Sequence, residues 1–345
     1  MKLYSKYVIL IPILLLSFYF LCIHLIENAK IHHRRKWLNE PPIGIQYIST
    51  NKFDLPKYFG ICIKTPSTNT FVNPLTKQSI LANMSKNYNI IYPPIISESG
   101  NEVYFVVTGG ETNELHIIGL HKMGTEIIYS GYDIGPCSLY KDKKMAFVAA
   151  TTEHDMTAED RNHLVDFDIN TKKAEFSPTR GFTGYYTTPP VWLSNEELVV
   201  DHRSKGIIQY NLSTQESKVL LGSDYEYPVL WGEKNLIVKK ESSDEAYVCN
   251  LDGSNMELLF KNQFLDDMYS ISPDNKYLAC RAKYMADMDF YIYGGGHLVP
   301  GASLFLMNLE NKTFTYFFAN EDDCFGPHIS WHPINNKILF HNNND

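Results

Sequence analysis

Residues 304–318 read LFLMNLENKTFTYFF: an apolar strand closed by Asn308-Leu309, a short polar turn, and a second apolar strand. The same arrangement stands at Leu115 (LHIIGLHKMGTEIIY), Leu164 (LVDFDINTKKAEF), Gly206 (GIIQYNLSTQESKVLL) and Ala246 (AYVCNLDGSNMELLF). Asp168-Ile169, Asn211-Leu212 and Asn250-Leu251 close the first strand in three of these, and Gly119-Leu120 holds the place in the fourth. Asn, Asp and Gly tolerate the backbone conformations that close hairpins, so each copy predicts a β-hairpin with a chemically marked turn.

A second module precedes each hairpin: a Pro or Ser, often an aromatic, a polar turn and an apolar strand. It reads PPIISESGNEVYFVV from Pro93, GPCSLYKDKKMAFVAA from Gly135, PPVWLSNEELVV from Pro189, YPVLWGEKNLIV from Tyr227, MYSISPDNKYLAC from Met268 and PHISWHPINNKILF from Pro327. Module plus hairpin gives four strands. Aligning the second strands at Val103, Met145, Leu198, Leu236, Tyr277 and Ile338 gives steps of 42, 53, 38, 41 and 61 residues. A four-stranded unit of about 40–50 residues is the blade of a β-propeller, and the long steps are insertions. The last unit ends after two strands, while Tyr58–Lys64 (YFGICIK) and Asn69–Asn73 (NTFVN) form a hairpin with no first half. The expectation is an all-β, six-bladed propeller of four-stranded antiparallel blades, closed by strands from both ends of the chain.

With Ser272-Pro273-Asp274-Asn275 in SPDNKYLAC, followed by LFLMNLENKTF, the chain resembles the TolB-like six-bladed propellers and the propeller half of prolyl oligopeptidases. The resemblance covers roughly Pro93 to Phe340. The Ser-Pro-Asp triplet is intact once; other copies read SESGN, LSNEE and HPINN.

The chain has 345 residues, 44% of them apolar and 13% aromatic, enough for one large core. Its compositional break lies near residue 40. Before it, Tyr7 to Ile26 (YVILIPILLLSFYFLCIHLI) is twenty residues without a formal charge, long enough as a helix to cross a bilayer. It predicts a transmembrane helix over 7–26, after a flank of residues 1–6 and before a basic linker of 27–42, with the propeller over 43–345. A cleaved signal peptide fits less well, since cutting after Ala29 would put Glu27 where a small residue is wanted. The flanking charges nearly balance and lean slightly towards a cytoplasmic propeller. The TolB resemblance implies export, and the expectation is a single-pass protein with its propeller on the extracytoplasmic side.

Without the six Lys/Arg and two Glu of residues 1–42, 25 basic and 37 acidic residues remain, about minus 12 on the propeller. Phosphate binding needs a positive surface, so nucleic acid is not expected as a partner. Outside the apolar segment, Cys62, Cys137, Cys249, Cys280 and Cys324 lack metal-type spacing and read as buried free thiols. No G-x-S-x-G, G-x-x-x-x-G-K-[ST], H-E-x-x-H or C-x-x-C motif is present. Gly294-Gly295-Gly296-His297 reads as a flexible turn, and Asp287 with Asp289 echoes a calcium loop in which Tyr291 stands where Asp or Asn is needed.

Topology is more informative. In a four-stranded antiparallel blade, the loops between second and third strands and the connections between blades emerge on one face. Both insertions, Thr151 to Asn162 and Ala282 to Ala302, fall there, and long loops gathered on a rigid scaffold mark a binding surface. The connections to that face carry Tyr185, Tyr186, Asp224, Glu226, Asp266, Asp267, Asp322 and Asp323, which predicts an acidic, aromatic-dotted mouth. His154, His202, His297, His328 and His341 belong to the same face.

Two function classes follow. The first is a non-catalytic module, with no cofactor, docking a protein or peptide of basic character. The second is a metal-assisted carbohydrate-active enzyme, in which the five histidines hold a divalent cation such as manganese or calcium. It rests on a resemblance to propeller-shaped oligogalacturonate lyases, whose histidines hold manganese on such a face. Arg203 and Arg281 would serve a uronate's carboxylates, but the acidic surroundings oppose an anionic substrate. The binding module is the favoured expectation.

Overall fold

A computed structural model describes residues 19, 47–49, 60–64, 71–76, 89–90, 92–108, 112–119, 124–151, 161–183, 189–262, 265–282, 304–317, 329–331 and 338–342. The chain divides into two units, residues 1–50 and 51–345. In the first, Tyr19 is helical and exposed and Tyr47–Ser49 is a strand. Among the described residues no helix is long and apolar enough to cross a membrane, and Tyr7 to Ile26 lies outside them apart from Tyr19.

The described part of the second unit forms six antiparallel sheets, each ordered from its inner strand to its outer one. Sheet one is Ile95–Ile96, Glu102–Thr108, Asn113–Gly119 and Glu126–Gly131, with Asn89–Ile90 also paired to Glu102–Thr108. Pro93 and Pro94, lacking an amide hydrogen, separate its two short inner strands. Sheet two is Ser138–Tyr140, Lys144–Ala150, Asn162–Asp168 and Lys173–Arg180. Sheet three is Val191–Trp192, Glu197–His202, Gly206–Asn211 and Ser217–Leu221. Sheet four is Tyr225–Trp231, Asn235–Lys240, Glu245–Asn250 and Glu257–Lys261. Sheet five is Leu265–Ile271, Tyr277–Ala282, Leu304–Asn308 and Phe314–Phe317. Sheet six takes Ile329–Trp331 and Ile338–Asn342 from one end of the chain, and Gly60–Lys64 and Phe71–Thr76 from the other. This is the expected closure, with Gly60 opposite Asn342 and Lys64 opposite Ile338.

The Asx–Leu/Ile pair that marks the hairpins does two separate jobs. The side-chain oxygen caps the turn: Asp168 Oδ1 accepts from the Thr171 amide at 2.8 Å, Asn211 Oδ1 from Ser213 and Thr214 at 3.0 and 2.9 Å, and Asn308 Oδ1 from Glu310 and Asn311 at 2.9 and 3.1 Å. The following amide ties the hairpin to the turn before the second strand. Ile169, Leu212, Leu251 and Leu309 donate to the carbonyls of Lys143, Glu196, Lys234 and Lys276 at 2.7–3.0 Å.

The Ser of the other module works in a similar way. Ser272 Oγ accepts from the Lys276 and Tyr277 amides, Ser97 Oγ from Asn101 and Glu102, and Ser194 Oγ from Glu196 and Glu197. The motif degenerates without losing the turn because the hydroxyl is the part that holds it.

Sheets pack face to face around a ring. Tyr104, Val106 and Leu115 of sheet one meet Met145, Phe147 and Phe167 of sheet two. Ala146, Val148 and Leu164 then meet Leu198, Val200 and Ile208, while Val199 and Ile207 meet Leu236 and Val238. These side chains are almost wholly buried, and each such residue contributes about 1.5–3 kcal/mol. Beyond sheet four the inner strands carry the ring onward, with Tyr225–Trp231 beside Leu265–Ile271, and that strand beside Ile329–Trp331. Ser330 Oγ donates to the Pro94 carbonyl and joins sheet six to sheet one. Indole hydrogens add further ties, from Trp192 to the Ser138 carbonyl at 3.3 Å and from Trp331 to that of Ser270 at 3.2 Å.

The outer strands of sheets one to four expose Ile127, Phe176, Val219 and Leu258, yet each pairing shifts register beside that residue. Such bulges bend an edge strand and discourage edge-to-edge association.

Candidate functional site

The loop face is built where second strands end and inner strands begin. Register fixes one layer of equivalent positions there: Val106, Val148, Asp201, Lys239 and Arg281, each three residues beyond Val103, Met145, Leu198, Leu236 and Leu278. In sheet five this corrects the sequence alignment by one residue, because Tyr277 pairs with Asn308 as Lys144 pairs with Asp168, which leaves Leu278 level with Met145. The backbone of His341 occupies the corresponding place in sheet six. The layer is apolar in sheets one and two and ionisable in sheets three to five.

Each ionisable member has a partner on its own inner segment. The Thr183 amide donates to the Asp201 carbonyl at 3.0 Å, Lys239 is paired with Glu226, and Arg281 Nη2 lies 2.5 Å from Asp267 Oδ2. Lys239 and Asp267 are 5% and 4% exposed, so both ion pairs are largely removed from water and each charge depends on its counterpart.

Tyr227 links these groups across three sheets. It sits at a register shift in the inner strand with φ of 57°, a left-handed conformation unusual for a side chain of its size, and Pro228 follows it. Its amide donates to the Asp201 carboxylate in sheet three, its hydroxyl donates to Asp267 in sheet five, and its ring lies 5.3 Å beneath Lys239 Nζ. Burial, then the Asp267 carboxylate, pushes its phenol far above the ordinary value. Burial, and then the Glu226 charge, pushes the Asp201 carboxyl up to about 7, with Glu241 adding to it and bonds from Thr183 and the Tyr227 amide opposing it.

Of the acidic residues expected at the mouth, Asp224 is exposed, and its carbonyl accepts from the Glu241 amide at 2.7 Å. Glu226 and Asp267 stand in the ion pairs above. Asp266 lies on Leu265–Ile271, where the backbone is described. Tyr185, Tyr186, Asp322 and Asp323 lie outside the described residues, as do His154, His297 and His328, the Gly294–His297 turn and the Asp287–Asp289 stretch.

His202 is 5% exposed. Its ring meets Phe182 edge-on at 5.4 Å, its Nδ1 lies 3.4 Å from the Ser204 amide, and it also bonds to the Arg180 backbone. Burial lowers its pKa, and Lys205 lowers it further. Among the described residues no three His, Cys, Asp or Glu side chains converge as a metal site. Cys137, Cys249 and Cys280 are free and buried, and burial raises all three thiols, that of Cys249 to about 11.

No protein-family model and no curated protein matches the sequence. Solved structures do match. TolB from Acinetobacter baumannii is 12% identical with a TM-score of 0.50, over 82% of this chain and 64% of that one. A protein from Agrobacterium tumefaciens assigned as TolB is 10% identical with a TM-score of 0.56, over 82% and 97% of the two chains. The fold is that of the TolB-like β-propellers. This TolB-like propeller spans less than two thirds of the Acinetobacter protein's length. An oligogalacturonate lyase in complex with manganese also matches, at 14% identity and a TM-score of 0.49 over 81% and 95% of the chains. At such identities the likeness concerns the fold, and function must be argued from the site.

Sequence reasoning found the acids of the inner segments and named Arg281 as a cation of this face, but missed Asp201, Lys239 and Tyr227. Asp201 and Lys239 close strands that read as apolar, ELVVDH and NLIVKK. Stacking the second strands in register would have exposed both, because the layer changes from valine to ionisable residues at sheet three.

Proposed function

We propose that this TolB-like propeller is a non-catalytic binding module that docks a protein or peptide of basic character on its acidic loop face. Tyr7 to Ile26 would tether it to a membrane, with the propeller on the extracytoplasmic side. The observation that carries the reading is the placement of Asp224, Glu226 and Glu241 together at the loop end of sheet four, where the Glu241 amide bonds the Asp224 carbonyl at 2.7 Å. Burial, then Glu226, and to a smaller extent Glu241 push the Asp201 carboxyl of sheet three up, in keeping with negatively charged surroundings. Exposed Asp224 and Glu241 continue that field outwards, where a cationic side chain from a partner would be drawn in.

The test uses the full-length chain in mild detergent, titrated with a Lys/Arg-rich peptide and an Asp/Glu-rich peptide of equal length. The basic peptide should bind, more weakly as salt rises and more weakly to an Asp224→Lys/Glu241→Lys variant. Equal binding of the two peptides would refute the reading. Stoichiometric manganese in the purified protein, together with cleavage of a uronate polymer, would establish the lyase-like alternative instead.

A further inference from the structure

We propose that Asn311 is an N-glycosylation site, its side-chain amide taking an oligosaccharide from a lipid-linked donor on the extracytoplasmic side of a membrane. The inference rests on the extracytoplasmic placement proposed above.

Asn-Xaa-Ser/Thr, with Xaa other than Pro, is the acceptor pattern for this modification, and the chain carries it at Asn83, Asn211 and Asn311. Sequence alone does not rank the three. Asn83 lies outside the described residues. Asn211 is half-buried at the end of its strand, follows the buried Tyr210, and holds its hairpin corner by accepting from the Ser213 and Thr214 amides.

Asn311 is exposed, in the turn between Leu304–Asn308 and Phe314–Phe317. Its Oδ1 accepts from the Thr313 amide at 3.1 Å and from the Thr313 hydroxyl, so both donors belong to the acceptor pattern itself. The carbonyl end of the side chain is thereby held, and among the described residues no hydrogen bond occupies Nδ2. Because the partners stand two residues apart, the arrangement is local and can form before the propeller closes.

The hairpin corner does not depend on Asn311. Asn308 Oδ1 caps it, the Asn308 amide donates to the Thr313 carbonyl at 2.8 Å, and the Lys312 amide donates to the Asn308 carbonyl at 2.9 Å. A glycan on Nδ2 therefore adds bulk without unfastening the turn. Turns between third and fourth strands lie opposite the loop face, which leaves the docking surface clear.

In the transfer, Nδ2 attacks the anomeric carbon of an oligosaccharide borne on a lipid diphosphate. The new N–C bond forms as the C–O bond to the diphosphate breaks. The diphosphate leaves with the electron pair, and one Nδ2 proton passes to a base of the transferase.

The full-length chain, translated with membranes that contain an oligosaccharyltransferase and its lipid-linked donor, should gain a glycan on Asn311. Peptide N-glycosidase should remove it, and mass spectrometry of the released peptide should place the resulting deamidation at that residue. Asn311→Gln should lose the glycan, and so should Thr313→Val, which keeps the buried bulk while removing the hydroxyl. Thr313→Ser and Asn211→Gln should retain it. A companion chain, with a flexible tail bearing Asn-Gly-Thr after Asp345, reports the side of the membrane independently. A glycosylated tail beside a bare Asn311, or with Asn211 modified in its place, overturns the site while the placement stands. If tail and Asn311 are both bare, the propeller lies on the cytoplasmic side and the inference falls with the placement.

Discussion

The Tyr227 hydroxyl donates to Asp267 across the boundary between sheets four and five, and the same carboxylate meets Arg281 at 2.5 Å. One buried acid thus receives a neutral and a cationic donor from two different sheets. Phenylalanine keeps the ring under Lys239 and removes only the hydroxyl. Tyr227→Phe should cost about 1.5–3 kcal/mol in denaturant unfolding, the usual worth of one hydrogen bond to a charged group.

Breaking the ion pair itself is a harsher change. Arg281→Met would leave Asp267 buried beside a thioether, and a buried charge stripped of its partner typically costs about 3–5 kcal/mol. Adding Asp267→Leu to the same chain should restore most of that loss. A double variant no more stable than Arg281→Met would show that the pair supplies more than mutual neutralisation.

Acid should weaken the propeller through the third strand of sheet one. His116 is 2% exposed, with Nδ1 2.9 Å from Thr125 Oγ1 and Nε2 2.9 Å from Glu114 Oε2. Burial lowers its pKa despite the opposing pull of Glu114. Below about pH 6.5 the unfolded chain therefore takes up a proton that the folded chain resists, and stability falls as pH falls. The pH slope between 5 and 7 should flatten in His116→Gln; a slope equal to that of the wild type would remove His116 from this role.

Turn chemistry can be tested on the one intact Ser-Pro-Asp. Ser272 is 1% exposed and its hydroxyl serves two amides while donating to Asp274 at 2.6 Å. Ser272→Ala should cost about 0.5–1.5 kcal/mol in unfolding free energy, because the partly buried amides of Lys276 and Tyr277 lose their acceptor. Asp274→Ala, at an exposed position, should cost less.

The fold was readable because its information is local and repeated. An Asn or Asp at a hairpin corner, with Leu or Ile after it, is visible in any single copy, and Asn211 and Asn308 use their side chains in the same way. The site was only half readable. Asp224, Glu226, Asp266 and Asp267 stand as pairs, and the structure sets all but Asp224 at the starts of inner strands rather than in the connections the sequence suggested. Lys239 gains its meaning from Glu226 directly opposite on the neighbouring strand and from a tyrosine ring on the same side of the sheet. Tyr227 is harder still, since what distinguishes it is a backbone turned into the left-handed region at a register shift, which no residue type announces.

The closing sheet also sets a timetable. Gly60–Lys64 leaves the ribosome early, but its inner neighbour, Ile338–Asn342, is synthesised roughly 270 residues later. At translation rates of about 5–20 residues per second, that strand waits for on the order of ten seconds or more with an open edge. Contacts so distant along the chain are slow to form, and the exposed strand is an invitation to mispairing in the interval. The newborn chain is therefore most in need of a chaperone at the hairpin of Gly60–Lys64 and Phe71–Thr76, and the arrival of Ile338–Asn342 ends that need.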